Sequence, residues 1–116
     1  RRVLFRSEQL NRLGIVYLHV VEGATGGPRD IAPFDYPAIR NRFDQTYLAN
    51  NGYDLELANA HLESDEADLF AFGKLFISNP DLVERLKHGL PLAELNPATL
   101  YGGGAEGYTD YPNYSD

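Results

Sequence analysis

Cysteine is absent from the 116-residue chain, which excludes disulfide bonds and metal sites built on thiolate ligands. Long apolar runs are absent as well. None approaches the roughly 18 residues that a membrane-spanning helix requires, and the sequence does not open on a signal-peptide pattern. We therefore expect no membrane association. A cytoplasmic location, which the lack of disulfides suits, is the default prediction.

Basic side chains are scarce. Ten lysines and arginines stand against seventeen aspartates and glutamates, which gives a net charge of −7 at pH 7. Such a chain repels the phosphate backbone of nucleic acids unless it carries a dense basic patch, and the sequence contains none. Nucleic-acid binding is therefore not expected. The hydrophobic fraction of 43%, with 12% aromatic residues, instead predicts one modest globular domain with a buried core.

The three histidines do not form a metal-binding pattern. His19, His61 and His88 lie far apart in the sequence, and no HExxH motif is present, so no metal site is predicted. We interpret His19 as a packed strand residue, His61 as a helix-surface residue and His88 as a partner of a helix C-terminal dipole. The carboxylates of LESDEAD, residues 62–68, are predicted to form a solvated helix end rather than an acid/base pair.

The first seven residues, RRVLFRS, differ from the rest of the chain. They hold three arginines and show neither a helical nor a strand period. One possible coding of Arg2–Ser7 is similar to the end of a common sequencing adapter read in frame. We therefore interpret residues 1–7 as non-native and exclude them from fold reasoning, with a genuine basic helix start as the alternative.

Three apolar runs rich in β-branched or aromatic residues predict buried strands. The runs are Ile15–Val21, Thr46–Ala49 and Asp68–Phe72. Helical patterns alternate with them, and this alternation predicts parallel β/α units. Three strands alone make a poor sheet. The pattern therefore leaves two architectures open, a small open sheet flanked by helices or part of a larger closed barrel.

Capping signals mark the predicted helices. A glycine stop at Gly14 ends the first helix, and Asp35 caps a short second one. The third, residues 54–67, has an apolar face. That face holds Leu55, Ala58 and Leu62. The fourth has Asn79 as its cap and Pro80 at its first helical position.

The second and third predicted strands end in the same way. Their endings are ANNG, residues 49–52, and AFGK, residues 71–74. In a β/α barrel the loops after the last two strands form a recurrent phosphate site, where main-chain N–H groups face the anion. Glycine lets the backbone approach closely, and a cation adds charge. The spacing alone leaves two interpretations open, a phosphate cradle or ordinary tight turns.

Three segments closely resemble the carboxy-terminal part of the Old Yellow Enzyme family, the FMN-dependent ene-reductases of the N-ethylmaleimide reductase type. They are ANNGYD (49–54), FGKLFISNPDLVERLKHGLPL (72–92) and YGGGAEGYTDYP (101–112), and YLHVVEG (17–23) fits the strand expected before them. The resemblance implies an α/β fold, a partial (β/α)8 TIM barrel. Residues 8–92 would form β/α units six to eight, and residues 93–116 a tail over the active-site rim. The remainder of the barrel would be missing from this chain.

The resemblance also implies a cofactor site. It assigns the FMN phosphate to the main chain of Asn51 and Gly52 and to the pair Gly73 and Lys74. The family usually has arginine at the position of Lys74. Lysine is a point charge rather than a bidentate fork, so we expect looser anchoring of the phosphate. The family often has glycine at the position of Asn51, which raises the question of whether that residue adopts a positive φ, as asparagine can. Phe76 fits an aromatic position near the flavin ring, with ordinary core packing as the alternative.

The implied activity is that of an FMN-dependent NAD(P)H oxidoreductase acting on small-molecule activated alkenes. NAD(P)H would pass hydride to FMN, hydride would then reach the β-carbon of the alkene, and a proton would reach the α-carbon. Tyr108 fits the tail tyrosine that overhangs the substrate pocket, the alternative being a tail aromatic packed on the barrel. The family's substrate-orienting and proton-donating residues lie on earlier strands. No catalytic residue is therefore assigned here, and no appreciable catalysis is expected of this chain alone.

Two other functions remain open. The chain could be a non-catalytic small α/β module that binds a phosphorylated ligand or packs against a partner chain that completes it. It could also belong to a different flavin-binding or phosphate-binding barrel. That second alternative retains Gly52 and Gly73 but leaves the tail motif unexplained.

Overall fold

A computed structural model of the chain describes residues 2–31 and 33–115. Helices and strands alternate along the chain. The elements are α1 (Arg2–Arg12), β1 (Tyr17–Val21), α2 (Tyr36–Arg40), β2 (Thr46–Asn50), α3 (Leu55–Glu63), β3 (Leu69–Ala71), α4 (Lys74–Ser78), α5 (Leu82–His88) and a 3-10 helix (Pro97–Thr99). The chain divides into two compact units, Arg1–Ala71 and Phe72–Asp116.

The first unit contains a three-stranded parallel sheet in the order β1-β2-β3. The register pairs Tyr17 with Thr46 at one end and Asn50 with Ala71 at the other. The predicted parallel β/α alternation is confirmed. A small sheet of this kind is consistent with part of a (β/α)8 barrel.

Strand β1 differs from its prediction in two respects. It begins at Tyr17, two residues later than expected, and it is not buried: Tyr17 is 55% exposed, and Val21 is also exposed. The exposed residues Tyr17, His19 and Val21 alternate along the strand and so share one face of the sheet, and the described residues leave that face uncovered. The prediction of a packed His19 was wrong as well. That residue is exposed, and its Nε2 lies 3.0 Å from Asn50 Nδ2.

The core of the first unit lies between the central strand and the helices that flank it. Tyr47 and Ala49 of β2 are fully buried, as are Ile39 and Phe43 from α2 and the turn after it. Burying each of the larger side chains contributes about 1.5–3 kcal/mol to the stability of the unit. Strand β3 is shorter than predicted at both ends.

Helix α1 includes residues that the sequence interpretation set aside. Residues Arg2–Ser7 are helical and continuous with the predicted helix, so the absence of a helical period did not mean the absence of a helix. Ser7 is buried, and its hydroxyl donates to the carbonyl of Val3 at 3.0 Å. The non-native origin of residues 1–7 stays a prediction.

The predicted cap of α2 is confirmed, because the Asp35 carboxylate accepts a hydrogen bond from the N–H of Ala38 at 3.1 Å. Helix α3 ends at Glu63, earlier than predicted. Of its expected apolar face only Ala58 is buried. Leu55 and Leu62 are exposed, since no other element of the described chain covers them.

The predicted solvated carboxylates of residues 62–68 divide into two kinds. Asp65 is solvated, but Asp68 is not a free surface charge. The Asp68 carboxylate accepts hydrogen bonds from the guanidinium of Arg40 at 2.7 Å and from the main-chain N–H of Tyr47 at 2.8 Å. It therefore links α2 to the beginning of β2.

In the second unit the predicted start of the last helix was wrong. Asn79 is fully buried and follows α4 as its C-cap, while α5 begins after Asp81. The Asn79 side chain is engaged elsewhere. Its Nδ2 donates to the carbonyl of Leu75 at 2.9 Å, and its Oδ1 accepts from the N–H of Ala93 at 2.7 Å. The end of α5 is as predicted, with Gly89 in the left-handed conformation at φ 63°.

The tail of the second unit is held by Arg85, which is buried. Its guanidinium donates to the carbonyls of Pro91 at 2.9 Å and Pro112 at 3.1 Å, and its Nε donates to Asp81 at 2.7 Å. Asp81 also accepts from the N–H of Tyr114 at 2.7 Å. Within residues 2–31 and 33–115, none of the helices has both the length and the apolar character that crossing a bilayer requires.

Candidate functional site

The parallel register places the ends of the strands at one edge of the sheet. Val21 pairs with Asn50, and Asn50 pairs with Ala71, so all three strands end at the same level. Glu22 and Asn51 follow directly after β1 and β2. This carboxyl edge is where ligands bind in parallel α/β folds.

The turn after β2 has an unusual backbone. Asn51 has φ 87° and Gly52 has φ 69°, so two successive residues lie in the left-handed region. The question raised by Asn51 is thereby answered, because its main chain adopts the positive φ that asparagine tolerates. Glycine is favoured at position 52 by its positive φ and also by a lack of space, because a Cβ there would lie 2.8 Å from Cδ of Arg29.

The side chain of Asn51 fastens the loop that follows β1. Its Nδ2 lies within hydrogen-bonding distance of the carbonyls of Glu22 (2.6 Å), Ala24 (3.0 Å) and Gly27 (3.1 Å). The main-chain N–H of Asn51 donates to Oδ1 of Asn50 at 2.6 Å. The N–H of Gly52, in contrast, donates to no acceptor among the residues that the structure describes. It is therefore open to an external acceptor.

Behind this turn lies a buried carboxylate that sequence reasoning missed. Glu22 is only 4% exposed. Its Oε1 accepts from the hydroxyl of Tyr53 at 2.5 Å and from Nη2 of Arg29 at 3.1 Å, and its Oε2 accepts from the hydroxyl of Tyr47 at 3.1 Å. A buried charge is tolerated only when it is paired and hydrogen-bonded, and Glu22 meets both conditions.

The protonation states in this cluster follow from the geometry. Tyr53 donates its hydroxyl proton to Glu22, and Nδ1 of His61 lies 3.0 Å from the same hydroxyl. His61, which was predicted to be a helix-surface residue, is half-buried and hydrogen-bonded. Burial and the neighbouring Glu22 carboxylate raise the pKa of Tyr47 well above its usual value.

The pKa values of the other two polar groups are shifted in the same direction. For Tyr53, burial and the hydrogen bond to Glu22 raise the pKa, and Arg29 offsets only part of this rise. Burial lowers the pKa of Arg29, but the hydrogen bond to Tyr53 and the charge of Glu22 outweigh it, so the net shift is upward. Both tyrosines therefore remain neutral donors near pH 7, and Arg29 remains charged.

A signal for this cluster was present but hard to interpret. Glu22 directly follows a predicted strand, and Tyr53 directly follows Gly52. A charge at a strand end is common, however, and only the parallel pairing of β1 with β2 brings the two together. Nothing in the spacing of Arg29 indicated that it would reach the same group.

The predicted residues of the second unit are described separately. Gly73 directly precedes α4, with φ −90°, and a Cβ there would meet no atom within 4 Å. Its conformation therefore does not by itself demand glycine. Lys74 begins α4 and is exposed, and no carboxylate in residues 2–31 and 33–115 forms an ion pair with it. Phe76 lies on the same helix and is exposed as well.

Tyr108 is exposed and lies in a tight turn of the tail. Gly107, with φ 69°, donates its N–H to Asp110 at 2.6 Å, and a Cβ on it would collide with the side chain of Thr99. The turn is therefore well defined around the tyrosine. Among the described residues, no group of histidines and carboxylates has an arrangement suited to a metal ion.

Relatives of known sequence and structure place the chain in a family, although no family model matches the sequence. A curated relative from rice, the putative 12-oxophytodienoate reductase 11, is 39% identical over 112 residues, which is 94% of this chain and 30% of the relative. The solved structure of an Old Yellow Enzyme homologue from Zymomonas mobilis matches with a TM-score of 0.89 at 38% identity, over 96% of this chain and 32% of that one.

A third comparison agrees with these two. The structure of morphinone reductase in complex with tetrahydroNAD matches with a TM-score of 0.87 at 38% identity, over 98% of this chain. It is matched over 30% of its own length, so the chain spans about a third or less of each relative. The resemblance drawn from the sequence motifs is confirmed. The chain belongs to the Old Yellow Enzyme family of oxidoreductases.

Proposed function

We propose that this chain provides the part of an FMN-dependent NAD(P)H ene-reductase that holds the phosphate of FMN. In this proposal residues 8–92 are β/α units six to eight of a (β/α)8 barrel, and residues 93–116 are the tail over the rim. The turn formed by Asn51 and Gly52 carries the proposal. Two successive left-handed residues at the carboxyl edge of a parallel sheet expose a main-chain N–H that has no partner in the described chain.

The local chemistry fits a phosphate group. A phosphate dianion needs main-chain N–H donors, positive charge and room for close approach. Gly52 is exposed and offers a main-chain N–H. The Asn51 N–H is engaged by Asn50, so within this turn Gly52 is the principal donor. The charge of nearby Glu22, which would repel a phosphate, is compensated by Arg29.

In the second unit, the family resemblance assigns Gly73 and Lys74 to the FMN phosphate. Gly73 has open space around it, and Lys74 is an exposed cation that forms no ion pair among the described residues. The sequence supports this assignment, because Gly73 follows Ala71 by two residues, as Gly52 follows Asn50. We further propose Phe76 as a neighbour of the flavin ring and Tyr108 as a contact of the substrate.

In the whole enzyme, bound FMN would supply hydride transfer from NAD(P)H to the β-carbon of an activated alkene. The contribution of this chain would be to bind and orient. Gly52 and Lys74 would hold the phosphate, and Tyr108 would shape the rim of the pocket. We assign no proton-donating residue to the chain, and we expect it to show no appreciable catalysis alone. Consumption of NAD(P)H in the presence of FMN and an α,β-unsaturated ketone measures this directly.

The proposal is tested by comparing two flavins that differ only in the phosphate. The full chain is titrated with FMN and with riboflavin by isothermal calorimetry, and we expect FMN to bind at least about tenfold more tightly, equivalent to about 1.4 kcal/mol. Lys74→Gln should weaken FMN binding and leave riboflavin unaffected. Lys87→Gln, which removes an exposed lysine from α5, is the matched control. Equal affinity for the two flavins would contradict the proposal.

The exposed edge of β1 keeps a second candidate function open. A non-catalytic module that needs a partner chain to complete it would show the same exposure of Tyr17 and Val21 while the partner is absent. Such a module would bind neither FMN nor riboflavin, whether or not it binds inorganic phosphate. The flavin titration therefore separates the two functions.

A further inference from the structure

We infer that Arg29 is a positioning residue for the turn of Asn51 and Gly52. The inference rests on the proposed function only in assigning this turn to a phosphate. The geometric part is independent of any ligand. Nη1 of Arg29 donates to the carbonyl of Asn51 at 2.5 Å, and the aliphatic part of the same side chain lies against Gly52.

The guanidinium is itself held in place by its surroundings. Nη2 donates to Oε1 of Glu22 at 3.1 Å and lies 3.4 Å from the hydroxyl of Tyr53. The guanidinium carbon also lies 4.3 Å from the centre of the Tyr53 ring, within the range of a cation–π contact. A planar fork anchored on a buried carboxylate and an aromatic ring presents its remaining arm in a fixed direction. That arm reaches the carbonyl of Asn51.

The hydrogen bond from Arg29 to the carbonyl of Asn51 holds the peptide group that joins Asn51 to Gly52. It thereby restricts ψ of Asn51 and φ of Gly52. Left-handed conformations are costly for residues other than glycine and persist where surrounding contacts determine them. The Asn51 side chain supplies one set of contacts, to the loop after β1, and Arg29 supplies the other. The stem of Arg29 also fills the volume that a side chain at Gly52 would need. Arg29 thus fixes the orientation of the Gly52 N–H without contacting the ligand.

Arg29 has a second effect, through charge. Glu22 is a buried carboxylate on the same side of the sheet, and its charge is balanced by Arg29. Without the guanidinium, this negative charge would act on a phosphate at Gly52 through a medium that screens poorly. Loss of Arg29 should therefore weaken phosphate binding both by loosening the turn and by exposing the ligand to Glu22.

Removing Arg29 alone leaves Glu22 buried and unpaired, so its effect on folding must be separated from its effect on the turn. The Glu22→Gln/Arg29→Met double variant achieves this. The glutamine oxygen still accepts from Tyr47 or Tyr53, and methionine keeps an unbranched stem beside Gly52. Arg42→Met is the matched control. It removes an exposed arginine whose Nη1 donates only to the carbonyl of Ala38 in the described chain.

Three quantities are measured on the full chain, namely the urea midpoint, the amide resonances of Asn51 and Gly52 by nuclear magnetic resonance, and the dissociation constant for FMN. For the double variant we expect a midpoint close to that of the parent chain, displaced resonances and a changed Asn51 coupling constant between the amide and α protons, because its main chain would no longer be held at φ 87°. FMN binding should be weaker by about tenfold or more. The Arg42→Met control should change none of the three. A folded double variant with unchanged Asn51 and Gly52 resonances would overturn the inference.

Arg29→Lys serves if the double variant does not fold. Lysine keeps a cation beside Glu22 but cannot bond that carboxylate and the Asn51 carbonyl at once with the geometry of a fork. It should fold and show the same displaced resonances, and parent-like resonances would count against Arg29. If the parent chain itself binds no FMN, the proposed function fails, and the role of Arg29 is then decided by the resonances alone.

Discussion

Replacement of Asp68 should reveal how the amino-terminal edge of the sheet is held to α2. Its carboxylate accepts from Nη2 of Arg40 at 2.7 Å and also from Nη1, and the same group accepts from the buried N–H of Tyr47. Asp65 contacts Arg40 as well, at 3.1 Å, but is 88% exposed. The site therefore combines a bidentate ion pair between Asp68 and Arg40, a main-chain hydrogen bond from Tyr47, and a solvent-exposed ion pair between Asp65 and Arg40.

The two kinds of contact at Asp68 can be assigned different magnitudes. More than a third of the Asp68 side chain is exposed, so solvent screens its ion pair, and Asp68→Asn should cost only about 0.5–1 kcal/mol. Asn still accepts the Tyr47 N–H. Asp68→Ala removes that acceptor too and leaves a buried donor unpaired, which adds about 1–3 kcal/mol. Asp65→Asn, the matched control, should cost less than about 0.5 kcal/mol.

The pH dependence of this pair has a definite sign. The hydrogen bond from Arg40, together with that from the Tyr47 N–H, holds the pKa of Asp68 below its ordinary value of 3.8, and burial opposes this shift only in part. A carboxylate with a lowered pKa stabilises the folded protein above the ordinary pKa. That stability is lost as the pH falls through the lower, folded-state pKa. The difference between the parent chain and Asp68→Asn should therefore be full near pH 7, begin to shrink as the pH falls toward 3.8, and vanish only below the folded-state pKa.

Urea unfolding followed by far-ultraviolet circular dichroism measures these differences, and amide hydrogen exchange at Tyr47 reports the main-chain bond. We expect the order of stability to be parent, Asp65→Asn, Asp68→Asn and then Asp68→Ala. Equal midpoints for Asp68→Asn and Asp68→Ala would show that the Tyr47 N–H is not stabilised by this carboxylate. A gap between parent and Asp68→Asn that does not shrink as the pH is lowered from 7 through 3.8 would refute the assignment to the ion pair.

The remaining predictions concern the second unit. Asn79→Ala removes a fully buried amide that bonds Ala93, so it should destabilise this unit by about 2–3 kcal/mol and speed hydrogen exchange at Ala93. The N–H of Tyr114 and the guanidinium of Arg85 hold the pKa of Asp81 below its usual 3.8. The contact between Asp81 and the tail should therefore persist above that value and be lost as the pH falls through the lower, folded-state pKa. The amide resonance of Tyr114 reports this loss. Lys74→Arg should tighten FMN binding by on the order of 1 kcal/mol, because a guanidinium grips phosphate with two donors; equal or weaker binding by the arginine form would contradict this.

Local signals in the sequence were sufficient where a residue and its partner are close along the chain. Asp35 caps α2 through a bond to a residue three positions later, and the predicted cap is found. Asn79 carries the same kind of signal, but its Oδ1, the atom that would accept in a cap, accepts from the N–H of Ala93, fourteen positions away, and so does not cap α5. A capping residue competes for partners across the whole fold, and propensity does not record that competition.

The candidate site shows the same division. Glycines at the ends of successive strands indicated the turn, and the positive φ of Asn51 could be anticipated from its residue type. The buried cluster around Glu22 could not be found in this way. It depends on the alignment of β1 with β2, which brings a residue after one strand against residues after the next. Hydrogen bonds that span twenty or more residues are a property of the topology.

Apolar residues that the sequence predicts as buried, and that the structure shows as exposed, lie in particular places. Tyr17 and Val21 lie on β1 at one edge of the sheet, and Leu69 lies on β3 at the other, while Leu55 and Leu62 lie on α3. A self-sufficient module would be expected to cover such residues, because each large apolar side chain left in water forfeits about 1.5–3 kcal/mol. In a closed barrel the inner face of each strand is covered by side chains of the other strands, which an isolated set of three units lacks. Leu69 pairs with Leu48, and Leu48 pairs with His19, so Leu69 shares one face of the sheet with Tyr17 and Val21. The exposure of this face therefore favours the proposed barrel units over an independent three-stranded domain.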